Sequence, residues 1–343
     1  MIPGNYRIHA GLLGYRPVDI RGIQLQVAQT ARYDLVMQVG QALTTEKLSE
    51  MRIRDPFILA EPATKTYYLY RSGGAKAGVL AFTSKDLDTW TGPLTVFQIP
   101  EGFWADQAIW APEVHRYRGK YYLFVTFTSR QQLGKVHDRP AMVGRGTQIL
   151  VADSPEGPFK PFGNRAHTPA GWLALDGTLW VEDGVPWMVF CHDWTQIQNG
   201  TMDLVRLKDD LSDPAGDPVT LFKATDAPWV RSLKQPGGQN HGYVTDAPFL
   251  YRTKSGTLLM TWSSFGVDGY ALAVANSKSG KIQGPWVQDE TPLFKDDGGH
   301  GMVFRTFDDK LILVLHQPNS KTETARLFEL EDAGDTFRFA GRK

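Results

Sequence analysis

The chain has 343 residues, with 37 Lys and Arg balanced by 37 Asp and Glu for a formal net charge of zero. That balance removes the electrostatic case for a nucleic-acid or anionic-membrane partner, which needs a dominant basic surface. The 42% of hydrophobic residues allow a sizeable core, 34 Gly and 21 Pro point to a turn-rich globular fold, and no apolar run is long enough to cross a membrane as a helix.

The opening residues, MIPGNYRIHAGLLGYRP, lack a basic stretch followed by an apolar one, so no signal peptide is expected in this chain. Residues 1–50 are expected to form a lead-in or closing segment, with a helical turn near 44–51, and residues 51–343 a single domain. From residue 54 onward, short aromatic or β-branched runs punctuated by Gly, Asp, Asn or Pro predict strands. TYYLY at 66–70, KYYLFV at 120–125, PWMVF at 186–190, LLMTW at 258–262 and LILVL at 311–315 are the most apolar of them. The single cysteine, Cys191, sits in such a run and is expected to be a buried hydrophobe.

Each of these runs follows a unit that opens on a polar residue: RDPFIL at 54–59, APEVHRY at 111–117, LDGTLWV at 175–181, TDAPFLY at 245–251 and GHGMVFR at 299–305. Asp55, Glu113, Asp176, Asp246 and His300 thus recur at intervals of roughly sixty residues. Five periods of about four strands predict an all-β, five-bladed β-propeller. Innermost strands of a propeller surround its axis, so these five side chains are expected to meet at one end of the channel. Residues 130–146 and 223–243 break the repeat and are expected to be loops that wall the pocket, favouring exo action on a chain end.

Carboxylates gathered in a partly buried pocket cannot all ionise near neutral pH, and a pair with separated proton affinities is what glycoside hydrolysis uses. Ion binding is the other use of such a ring, although no DxDxDG-type loop is present. A strand-opening Asp can also do no more than cap a turn.

Arg54-Asp55-Pro56, Trp110-Ala111-Pro112-Glu113, Leu175-Asp176-Gly177, Asp246-Ala247-Pro248 and Gly299-His300-Gly301 together resemble the successive inner-strand motifs of glycoside hydrolase family 43. The resemblance runs from about residue 54 to the C-terminus. It implies a propeller that cleaves glycosidic bonds with inversion, its two carboxyls about 6.5–9.5 Å apart. Asp55 would be the general base and Asp176 the residue that tunes the acid. The acid is usually a Glu in an EGP-like motif, and here that place reads Asp246-Ala247-Pro248. The acid is therefore Asp246, or Asp193 in Cys191-His192-Asp193-Trp194, or Glu113, which could instead contact substrate.

His300 is a candidate to hold a central calcium or sodium ion, or else a neutral core histidine; no cofactor is otherwise required. Trp110, Trp104 and Trp194 are expected in the pocket as sugar-stacking aromatics, with Arg54 and Arg305 beside the inner strands. The partner implied is a carbohydrate, and oligomeric state is left open. The activity implied is exo-acting removal of terminal α-L-arabinofuranosyl residues from plant-type polysaccharides or oligosaccharides. The alternatives are a β-xylosidase or a β-galactofuranosidase or galactosidase of the same family, or a catalytically impaired glycan-binding propeller.

Overall fold

The computed structural model describes residues 4–10, 18–27, 30–35, 42–135, 141–234 and 240–341. Five antiparallel sheets follow one another along the chain, each starting at the centre of the molecule and ending at its rim. Blade one runs Phe57–Glu61, Thr66–Ser72, Val79–Ser84 and Thr89–Phe97 from inside to outside, with Thr44–Lys47 as a fifth strand on its outer edge. Blade two comprises Ala108–Tyr117, Lys120–Lys135, Ala141–Ala152 and Lys160–Pro161, and blade three Ala174–Glu182, Val185–His192, Thr201–Arg206 and Val219–Lys223. Blade four comprises Asp246–Arg252, Leu258–Gly266, Gly269–Ser277 and Trp286–Gln288, and blade five Gly299–Arg305, Leu311–Gln317, Thr324–Asp332 and Phe337–Phe339. Each inner strand packs on the next and the fifth returns to the first, closing a five-bladed β-propeller.

Side chains of a strand alternate between faces, and here both faces are covered, so the second strands are apolar on both sides. Leu258, Met260 and Trp262 pack with Val189, Cys191 and Met202 of blade three. Leu259 between them faces the other way, onto Val303 and Leu313 of blade five. Cys191 is fully buried in the first of these layers, as its surroundings in the sequence led us to expect.

Among the described residues the ring closes without lending a strand from one end to the other. Ile53 donates its N–H to the Glu323 carbonyl at 3.2 Å, and Arg52 bridges to Thr324. Tyr67 stacks on Phe307, with ring centroids 4.3 Å apart. Met302, Phe304 and Val314 of blade five complete the apolar layer of blade one.

Three sequence expectations change. Residues 44–51 hold a strand, Thr44–Lys47, and a 3-10 turn, Leu48–Glu50, rather than a helical turn in isolation. The supposed loop at 130–146 is the far end of a long hairpin made by the second and third strands of blade two, its tip at 136–140 lying outside the described residues. The stretch at 223–243 carries a 3-10 turn, Ala224–Asp226, and a short ribbon pairing Leu233–Lys234 with Asn240–Gly242.

Candidate active site

Every inner strand opens with one residue in the left-handed region: Asp55 (φ 51°), Ala111 (42°), Asp176 (55°), Ala247 (53°) and His300 (48°). In blades two to five the pairing register shifts at this point, the mark of a β-bulge, which re-aims side chains and frees a backbone amide from the ladder. Amides of four of these left-handed residues donate to the preceding blade. Asp176 N–H reaches Thr126 Oγ1 (2.9 Å), Ala247 N–H reaches Asp176 Oδ2 (3.1 Å), His300 N–H reaches Ser263 Oγ (2.9 Å) and Asp55 N–H reaches His316 Nδ1 (3.3 Å). Gly177 follows one such residue because a Cβ there would lie 2.6 Å from Thr147 Cγ2.

The bulges correct the phase read from the sequence. Equivalent positions are Asp55, Ala111, Asp176, Ala247 and His300, so Glu113 lies two residues deeper than expected and Asp246 one residue earlier. Asp55, Asp176, Asp246 and His300 line one cavity of about 630 Å³, together with Arg52, Arg54 and Trp110.

Within this cavity the carboxyl groups have very different company. Asp55 Oδ1 lies 3.1 Å from His300 Nδ1, 3.3 Å from His316 Nδ1 and 3.8 Å from Arg54 Nε. Burial opposes its charge, but the two rings and the guanidinium outweigh burial and hold the carboxyl well below the usual carboxylate range. Burial also drives His300 down to about 4, so near neutral pH this ring is uncharged and Arg54 supplies the fixed positive charge. None of these contacts is aligned as a hydrogen bond to Oδ1, which stays buried without a partner, an arrangement common where chemistry rather than stability dictates geometry.

Asp246 accepts a hydrogen bond from Tyr270 Oη at 2.9 Å. Burial and the nearby carboxylates of Asp193 and Asp55 push it up to about 7, against the pull of Tyr270 and Arg54. Burial, together with Asp246 and Asp55, holds Asp176 well above the ordinary carboxylate range. One cleft thus holds an ionised carboxylate and a carboxylic acid poised near neutrality.

The remaining candidates divide. A second cavity of about 290 Å³ adjoins the first and shares Arg54, Trp110, Leu175 and Asp246 with it. Asp193 and Trp194 line this second lobe, but both Asp193 oxygens are engaged, Oδ1 by Thr195 N–H at 2.8 Å and Oδ2 by the Arg145 guanidinium. Trp110 is 36% exposed, and the Arg145 guanidinium sits over its ring, 3.9 Å from the centroid. Glu113 pairs with His115 at 2.9 Å and borders neither lobe; with Asp55 and His300 it surrounds a void of about 10 Å³ beneath them, room for one water. Among the described residues no group of three or more His, Cys, Asp or Glu is arranged to hold a metal ion. No chemistry below passes through an ion.

Trp104 and Arg305 stand outside the lining of both lobes. Trp104 packs on Phe127 and donates Nε1–H to Gln148 at 2.6 Å. Arg305 lies at the opposite end of its strand, about 17 Å beyond His300 at the usual rise, where it binds Tyr251 Oη at 2.6 Å. Tyr270 and His316 escaped the sequence reading. Third strands run parallel to first strands and begin on the same face, so the first residues of third strands were the place to look for Tyr270.

The sequence pattern described as Glycosyl hydrolases family 43 matches residues 47–334. An extracellular endo-alpha-(1->5)-L-arabinanase 1 of Bacillus subtilis (strain 168) is 24% identical over 260 residues, which cover 72% of this chain and 71% of that protein. The crystal structure of an endo-arabinase from Bacteroides thetaiotaomicron VPI-5482 matches with a TM-score of 0.76 and 43% identity, over 84% of this chain and 98% of that one. An alpha-L-arabinofuranosidase from Lactobacillus brevis shares the fold, with a TM-score of 0.68 at 20% identity over 84% of this chain and 94% of its own.

Proposed function

This chain belongs to glycosyl hydrolases family 43 and is a glycosidase, and from that premise we propose that it cleaves internal α-1,5 links of L-arabinan with inversion. The observation that carries the reading is the pair Asp55 and Asp246, one ionised and one protonated near neutral pH in the same cleft. Asp55 takes a proton from a water as the water oxygen bonds to the anomeric carbon. Asp246 gives its proton to the linking oxygen as the bond from that carbon breaks. The two events belong to one displacement, and as the leaving bond lengthens ahead of the new one positive charge develops on the sugar ring beside the Asp55 carboxylate.

The acid must stand at the linking oxygen and the base beneath the sugar that is attacked. Asp55 borders only the larger lobe, whereas Asp246 borders both. The attacked sugar therefore sits in the 630 Å³ lobe and the leaving chain runs into the 290 Å³ lobe, past Trp110 and Trp194. The larger volume lies within the range of about 300–1,000 Å³ that buries a drug-sized ligand. It has room for more than one five-membered ring, and this supports internal cleavage over the exo action anticipated from the loops. The relatives named above as endo-acting agree with that choice.

Linear arabinan incubated with the protein should lose viscosity well ahead of the release of reducing ends, and early products should be oligosaccharides. Arabinose as the sole early product would instead establish exo action. Proton NMR of the first product should show the anomer opposite to that of the substrate. Sugar binding without turnover, unchanged by Asp55→Asn, would return the chain to a glycan-binding role.

A further inference from the structure

We propose that Tyr270 is the positioning residue of the acid, a rigid spacer whose hydroxyl holds Asp246 and whose ring face holds the histidine behind Asp55. The proposal rests on Asp246 being the acid. Tyr270 is the second residue of the third strand of blade four and is 1% exposed. Its Oη donates to Asp246 Oδ2 at 2.9 Å, and its ring stacks on His316 with centroids 5.7 Å apart and planes 12° from parallel. His316 is fully buried, and its Nδ1 accepts the Asp55 amide at 3.3 Å. One ring therefore stands between the supports of the two carboxyls.

That ring has little freedom to move. Phe265 packs at 5.2 Å, the Tyr270 carbonyl accepts Gly298 N–H at 2.9 Å, and a Cβ on Gly299 would lie 2.7 Å from Tyr270 Cε1. An inverting enzyme needs its carboxyls at a set separation with room for a water between them. Asp reaches one methylene less far than Glu, so a short acid gains most from a fixed donor.

The hydrogen bond also favours the ionised form of Asp246. The charged and titratable groups facing Asp246 are Arg54 and Asp55 from blade one, Asp176 and Asp193 from blade three and Tyr270 from blade four, with His316 of blade five behind the phenol. Burial keeps the phenol protonated, and therefore a donor, throughout the working range.

Tyr270→Phe keeps the ring and removes the hydroxyl. On arabinan its kcat should fall about tenfold with KM little changed, and the alkaline limb of kcat/KM should move up by about one pH unit. On an arabino-oligosaccharide bearing a dinitrophenolate leaving group, which needs no proton, the loss should stay within about twofold. A carbon-13 titration of the Asp246 carboxyl in both proteins reads the same shift without turnover. Equal losses on both substrates, or an unmoved carboxyl titration, would overturn the proposal. Asp246→Asn in parallel separates the two ideas. If it fails to spare the dinitrophenyl substrate, the acid assignment fails. If it spares that substrate and Tyr270→Phe does not, the spacer alone fails.

Discussion

Asp55 and Asp246 stand on non-adjacent blades around one cleft, and burial disfavours the charge of both. Asp55 has two imidazoles and a guanidinium around one oxygen. Asp246 has a phenol as its hydrogen-bond donor, and around it burial and the carboxylates of Asp193 and Asp55 outweigh Arg54. Equal burial therefore yields opposite protonation, because fixed cationic and ring-nitrogen partners reverse the desolvation penalty while a neutral donor only softens it. In the proposed hydrolysis the two roles follow from the neighbours rather than from the carboxyls themselves.

That contrast can be broken from either side. On the proposed assignment Asp55→Asn removes the base and should cost about 10⁴-fold in kcat on every substrate, whatever its leaving group, in steady-state assays. Asp246→Asn should cost about 10³-fold on arabinan, spare a dinitrophenyl glycoside and abolish the alkaline limb near pH 7.

Stability offers a third lever. Asp246 holds its proton up to about 7 when folded, against 3.8 as its ordinary value, so between these pH values the folded chain binds more protons than the unfolded one. Its contribution is complete below pH 4 and is lost as pH rises toward 7. In urea titrations at both ends of that range, Asp246→Asn should flatten the decline by about 2 kcal/mol, a figure reduced for the edge that Asp246 shows to the cleft. The smallest effect should come from Arg54→Gln. Losing this cation raises the proton affinity of Asp55, and the acid limb of kcat/KM should move up by about half a pH unit.

The ring of polar residues was legible because a propeller repeats, and repetition survives in a single sequence. The phase was legible too, in the wrong column: Pro56, Pro112, Gly177, Pro248 and Gly301 each follow the left-handed residue and mark the true register, which the polar side chains misstate by up to two positions. Bulges add a residue to one strand only, so counting polar residues put Glu113 in the cleft, whereas it is tied to His115 below it. Tyr270 and His316 left no periodic trace, since no other blade needs a phenol or an imidazole at those places. Trp104 and Trp110 cannot be ranked by composition, because which face a strand residue presents depends on register. The hairpin ending at residues 130–146 was taken for a loop because its polar run lacks alternation, and a ribbon extending beyond its blade has no core to face.

A ring made by joining two ends has one join, and here the join runs past Asp55, the carboxylate proposed as the base. One amide that fastens the first blade to the last, beside that of Ile53, belongs to Asp55, and His300 and His316, whose ring nitrogens face its carboxyl, belong to the last blade. Warming that loosens the fifth blade from the first takes both rings from the Asp55 carboxyl and leaves it Arg54 alone, while the other four sheets are intact. Heat inactivation of this enzyme should then run ahead of the melting of its strands, with the temperature ceiling on turnover set by the grip of one blade on another rather than by the cohesion of the whole.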